Sequence, residues 1–240
     1  MKAWLKRQIG QKVGRDFLEK LTEYCIAEKE PTLSLTAAEI IERRGMSWTD
    51  HERDREILWR RFYEKLPAGP TLWLEFGVWK GDSMRYFATL DKHPESRFIG
   101  FDSFEGLPED WRGMAAERFD VGGAFPDIDD PRVRFVKGWF QNTLPGHLES
   151  IASEAIDRKI IVHFDADLYS STLYLLFTLS RISDDYHCIF DEISGHETRA
   201  LFNFLQATNW QASFSHRLDW EDFPQVAAGR LTMSKGQTSD

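Results

Sequence analysis

The strongest constraint on this chain is a series of short apolar runs, each followed by an acid or a glycine-bearing turn. "TLWLEF" (71–76), "RFIGFD" (97–102), "VRFV" (133–136), "IIVHFD" (160–165) and "YHCIFD" (186–191) read as strands. Helical segments such as "DSMRYFATL" and "SSTLYLLFTLS" lie between most of them. That alternation predicts a parallel sheet with helices on both faces. After a last helix around "HETRALFNFLQAT", the runs "WQASFSH" and "QVAAGRLTMS" have no helix of useful length between them. They predict an antiparallel pair at the sheet edge. The expected fold is therefore α/β, a doubly wound, mostly parallel seven-stranded sheet with a C-terminal edge pair.

Residues 1–66 read as a helical extension, a lid or a subunit contact, ahead of a main domain over 67–240. Leu5, Ile9, Val13, Phe17 and Leu21 recur every four residues and line one side of a helix. Its other side is basic, which suits packing or subunit contact, or an anionic membrane surface. A second helix is expected within "SWTDHERDREILWRRFYEKL", with Ser47, Thr49 and Asp50 as cap residues. The segment 106–131 is long, acidic and rich in Gly and Pro, and reads as an active-site flap.

Composition narrows the class. At 240 residues and 42% hydrophobic, the chain can bury a sizeable core, and a net charge of -9 disfavours general nucleic-acid binding. Cys25 and Cys188 form no CxxC pair, which predicts reduced thiols. The charged N-terminus lacks a signal-peptide core, and the longest uncharged stretch is too short to span a bilayer. A cytoplasmic protein without a membrane span is expected.

Ligands of open α/β sheets bind beyond the carboxyl ends of the strands. There the chain places Glu75, Gly77 and Gly81 in "EFGVWKGDS", then Asp102, then "KGWFQNTLP", then Asp165 and Asp167, then Asp191 and Glu192. Gly77 and Gly81 allow a tight turn and close ligand approach, but the loop lacks the G-x-G-x-x-G dinucleotide fingerprint. Asp102 ends the second strand, where a carboxylate can accept both hydroxyls of a ribose. An acidic loop with no phosphate-binding glycine set favours a cationic nucleoside without pyrophosphate. S-Adenosyl-L-methionine has that chemistry.

The stretches "LEFGVWKGDS", "GFDSFEGLPEDW", "GWFQNTLP", "HFDADLYSSTLYLL" and "FDEISGHETRAL" together resemble the macrocin O-methyltransferase family of class I, Rossmann-like enzymes. The resemblance covers roughly residues 70–205. It implies S-adenosyl-L-methionine as methyl donor and, as acceptor, a free hydroxyl of a sugar or other small molecule. It implies that Glu75 and Gly77 shape the methionine end of the pocket, that Asp102 holds the ribose, and that Gly81 and Asp165 also contact the cofactor. Ser103 and the turn Gly138, Trp139, Phe140, Gln141 would border the adenine. By the same resemblance Asp165, Asp191 and Glu192 would hold Mg²⁺, which lowers the pKa of the acceptor hydroxyl while a carboxylate takes its proton.

Related enzymes with a metal usually carry Asp-Asp or Asp-Asn where this chain has Asp191-Glu192. The lysine base of catechol-type relatives is replaced by Leu168, so the catalytic candidates are Asp165 and His196, the latter also a candidate helix cap. Two alternatives stand beside this reading. Asp165-x-Asp167 would suit a metal-dependent glycosyltransferase, and an inert binding module would keep the fold alone. A homodimer through the N-terminal helices is a further expectation.

Overall fold

The computed structural model describes residues 50–234 apart from 53, 112, 194, 195, 221 and 222. The basic helix expected near the N-terminus, its dimer contact, Ser47, Thr49 and Cys25 lie outside the described residues. The strands are β1 (Asp50–Glu52), β2 (Thr71–Phe76), β3 (Arg97–Asp102), β4 (Val133–Lys137), β5 (Lys159–Phe164), β6 (Asp185–Phe190), β7 (Trp210–Trp220) and β8 (Phe223–Met233). The helices are α1 (Arg55–Glu64), α2 (Asp82–Leu90), α3 (Phe140–Thr143), α4 (Leu148–Ala155), α5 (Tyr169–Leu179) and α6 (His196–Ala207).

All eight strands form one sheet in the order β1-β7-β8-β6-β5-β2-β3-β4. From β4 through β6 every pairing is parallel, whereas β8 runs antiparallel to both β6 and β7. The expected arrangement is present, with one addition. Asp50–Glu52 lies parallel to β7 as an outer eighth strand, where a helix had been expected. The helix starts later because Asp54 is its cap, accepting from the amides of Glu56 at 2.9 Å and Ile57 at 3.1 Å.

Alternation along the strands builds two cores. Leu72, Leu74 and Phe76 of β2 face α5 and α6, packing with Leu175, Leu176, Leu201 and Phe204. Trp73 of β2 and Ile161 of β5 face the other way, against Leu58, Trp59 and Phe62 of α1 and Phe87 of α2. A ten-residue helix is marginal alone, so α1 depends on these contacts. Each such side chain contributes about 1.5–3 kcal/mol on burial. Among the described residues no helix is long and apolar enough to cross a membrane.

The chain runs from β2 outward through β3 to β4, then returns to β5 on the other side of β2. The strand order therefore reverses between β2 and β5, and their carboxyl ends flank the crevice in which such sheets bind ligands.

Candidate functional site

Gly77 makes the crevice narrow. Its φ of +94° suits glycine, and a Cβ there would lie 1.9 Å from the Asp165 carbonyl oxygen. The end of β2 thus rests directly against the end of β5. Its amide donates to the Phe101 carbonyl at 3.0 Å, tying in β3 as well.

Asp102 braces the loops around it. Oδ2 accepts from the amides of Val78 at 2.6 Å and Trp79 at 2.8 Å, and Oδ1 accepts from Phe104 at 2.6 Å. Trp79 and Phe104 both have positive φ, so the carboxylate holds two unusual backbone turns in place. Ser103 donates to the Gly106 carbonyl at 2.6 Å and starts the flap. The flap folds back through Leu107, whose amide donates to Ala116 at 2.8 Å, and Glu109 accepts from Ser170 of α5 at 3.2 Å.

Of the residues expected in the site, Gly77, Asp102, Ser103, Trp139, Phe140, Gln141 and Asp165 line one cleft together with Leu107, Pro108 and Phe119 of the flap. Gly81 and Gly138 are not part of that lining. Gly81 caps α2 with φ +76°, and the Gly138 amide donates to the Asp102 carbonyl at 2.8 Å.

Glu75, expected at the methionine end of the cleft, is placed elsewhere. It shares the strand face of Trp73, is fully buried, and accepts from Trp73 Nε1 at 3.1 Å and from the Ser83 hydroxyl. Its Oε2 is also 3.7 Å from Nδ1 of His163, a buried β5 residue paired with it in register. Nε2 of the same ring lies 3.7 Å from Asp191 Oδ1. Both contacts are ion-pair rather than hydrogen-bond distances. Burial alone would lower the proton affinity of His163, but the Asp191 and Glu75 carboxylates outweigh it and raise its pKa to about 10.

His163, Asp165 and Asp191 each offer one donor atom, and these atoms lie within 4.8 Å of one another. Burial, and then repulsion from Asp191, holds the Asp165 carboxyl well above the usual range. Glu192, expected as the third metal ligand, is outside this group of three. Its carboxylate accepts from Gln225 at 3.3 Å. His196 opens α6 and does not line the cleft.

Sequence reasoning missed His163 and Glu197. Glu197 on α6 is fully buried and accepts from the amides of Ala166 at 3.4 Å and Glu192 at 3.2 Å, linking the ends of β5 and β6. Burial, then the Asp167 and Asp191 charges, raises its pKa well above the ordinary value. The available signal for His163 was a lone imidazole at an inward position of an apolar run, opposite an equally isolated Glu75.

A family model described as Macrocin-O-methyltransferase (TylF) matches residues 69–222. The chain is 31% identical over 141 residues to 8-demethyl-8-(2,3-dimethoxy-alpha-L-rhamnosyl)-tetracenomycin-C 4'-O-methyltransferase of Streptomyces olivaceus, covering 50% of this chain and 51% of that protein. It is 32% identical over 120 residues to demethyldecarbamoylnovobiocin O-methyltransferase of Streptomyces niveus, covering 41% of this chain and 43% of that protein. The chain thus spans about half the length of these curated relatives, or less. The solved structure of the O-methyltransferase NovP superposes with a TM-score of 0.51 at 19% identity, covering 91% of this chain and 98% of that one, a likeness of fold.

Proposed function

The chain belongs to the macrocin O-methyltransferase family, and on that premise we propose that it transfers a methyl group from S-adenosyl-L-methionine to a hydroxyl of a sugar or glycosylated small molecule. The observation that carries this reading is the cleft at the β2–β5 reversal, where Gly77, Asp102 and Asp165 come together from separate strand ends. The relative named as a 4'-O-methyltransferase of a rhamnosyl compound supports the sugar class of acceptor.

When bound, S-adenosyl-L-methionine supplies an electrophilic methyl group. The protein's share is alignment and proton handling. Asp102 orients the Val78–Trp79 loop, and with three of its four lone-pair sites taken by backbone amides it keeps one, on Oδ1, for a ribose hydroxyl. Trp139 and Phe140 line the same cleft and offer apolar surface to an adenine. The flap residues Leu107, Pro108 and Phe119 line the cleft with apolar surface, which suits them to limit water around a bound cofactor. Asp165 also lines it and, when ionised, is placed to receive the acceptor's proton. His196 has no such position.

The residues present also fit a divalent cation. Asp191 Oδ1 and both ring nitrogens of His163 are buried without a hydrogen-bond partner, beside an Asp165 carboxyl destabilised by burial and by its neighbour. Asp165 and Asp191 would hold the ion, leaving its other positions to water and acceptor oxygens. There it would lower the pKa of the acceptor hydroxyl. His163 offers the third donor atom of this group, within 4.8 Å of those of Asp165 and Asp191.

Calorimetric titration with S-adenosylhomocysteine, with Mg²⁺ and again with EDTA, tests the reading against UDP as control. Binding of the homocysteine nucleoside, abolished in Asp102→Ala, is the expected result. Cation-dependent binding of UDP instead would point to a glycosyltransferase.

A further inference from the structure

Asp191 already carries a cation from outside the family-matched span, which begins at residue 69. Arg55, the first residue of α1, places Nη2 3.0 Å from Asp191 Oδ2; the guanidinium side chain is 39% exposed and the carboxylate side chain 8%. The other oxygen, Oδ1, is buried without a hydrogen bond and faces His163 and Asp165. One carboxylate is therefore divided between a side chain of α1 and the cluster at the ends of β5 and β6.

A divalent ion drawing on Asp191 would meet the guanidinium at the same carboxylate. Two like charges a few ångströms apart at a largely buried site repel strongly. A guanidinium cannot relieve this by losing its proton, so it must move. Arg55 has somewhere to go. Its side chain is half-exposed, and the Trp59 ring lies one turn along α1 with its centroid 6.0 Å from the guanidinium carbon. Asp54, immediately before it, caps the first turn with its side chain on the amides of Glu56 and Ile57 and with its carbonyl on the Leu58 amide at 3.0 Å.

We propose that Arg55 is a tethered counter-ion, seated on Asp191 until a divalent cation displaces it, so that loading of the cation releases the first turn of α1. This rests on the cation reading above and adds an internal competitor to it. The seated state neutralises Asp191 through Oδ2, and the loaded state leaves that carboxylate to the ion. Loading of the site and seating of α1 are antagonistic.

The test is an electron paramagnetic resonance titration of the full chain with Mn²⁺, comparing wild type, Arg55→Met and Asp165→Asn. Hydrogen–deuterium exchange over residues 55–64, with and without Mn²⁺, accompanies it. Arg55→Met keeps an apolar stem and removes the charge. The expected result is Mn²⁺ binding about fivefold tighter in Arg55→Met than in wild type, lost in Asp165→Asn, with faster exchange at the start of α1 when wild type is loaded. Equal or weaker binding in Arg55→Met, with binding still lost in Asp165→Asn, overturns the counter-ion and leaves the cation site standing. Tighter binding without any change in α1 exchange also overturns displacement, since a distant field would then suffice. Absence of Mn²⁺ binding in both wild type and Arg55→Met overturns the cation site itself and the inference with it.

Discussion

His163 and Glu75 face each other across the β2–β5 pairing, with Nδ1 3.7 Å from Oε2 and both side chains removed from solvent. The same imidazole reaches toward Asp191, so one ring joins the first strand of the site to the strand that would carry the cation. Removing one partner of a buried charge pair costs about 3–5 kcal/mol, because the other charge is left uncompensated. His163→Leu should therefore lower unfolding free energy by about that amount in urea titrations. Glu75→Gln combined with it should recover a large part. Strictly additive losses would show that the two residues do not interact.

The sign of the pH dependence follows from the raised pKa. A group that binds its proton more tightly when folded contributes stability at low pH. For His163 that contribution is complete below the ordinary value of 6.5 and disappears as pH rises toward about 10. Asp165 and Glu197, also raised, act in the same direction from the carboxylate range upward. Unfolding free energy, followed in EDTA as a falling melting temperature, should decrease between pH 6.5 and 10, with a limiting slope of about 1.4 kcal/mol per pH unit for each proton involved. His163→Gln should flatten this fall. A melting temperature that rises over the same window would contradict a buried imidazolium.

Asp102 accepts three backbone amides from two loops, so its loss should be felt in both binding and folding. Hydrogen bonds to a charged group are worth about 1.5–3 kcal/mol each, although the freed amides recover part of this from water. Asp102→Ala should abolish measurable S-adenosylhomocysteine binding in calorimetry and lower stability by about 2 kcal/mol. Unchanged affinity would remove Asp102 from the ligand site and leave it a loop brace.

Gly77→Ala combines a backbone conformation unfavourable to alanine with a Cβ 1.9 Å from the Asp165 carbonyl. Strain and overpacking each cost about 1–3 kcal/mol, so a loss of about 2–6 kcal/mol is expected in urea melts. Near-wild-type stability would mean that β2 and β5 are less tightly abutted at this point.

Much of this was already present in the order of residues. Thr71–Phe76 and Arg97–Asp102 are strands over the spans expected from their apolar runs, and Asp82–Leu90 is the helix expected between them. These are local properties, an apolar period ended by a turn, and they carry the strand-end positions of Gly77, Asp102 and Asp165 with them. Other features depend on contacts between distant segments. Glu75 sits at a strand end, yet alternation turns it away from the cleft toward His163, a partner supplied by the register with β5. Glu197 reaches the ends of β5 and β6 from a helix that follows both. Asp50–Glu52 becomes a strand because β7 offers it an edge. Sequence alone determined the strands from Thr71 onward, their order along the chain and the acids at their ends, since each rests on neighbouring residues. Tertiary structure decided which of those acids face the cleft and which are neutralised inside the protein, because pairing register and the approach of α1 and α6 set where each carboxylate points.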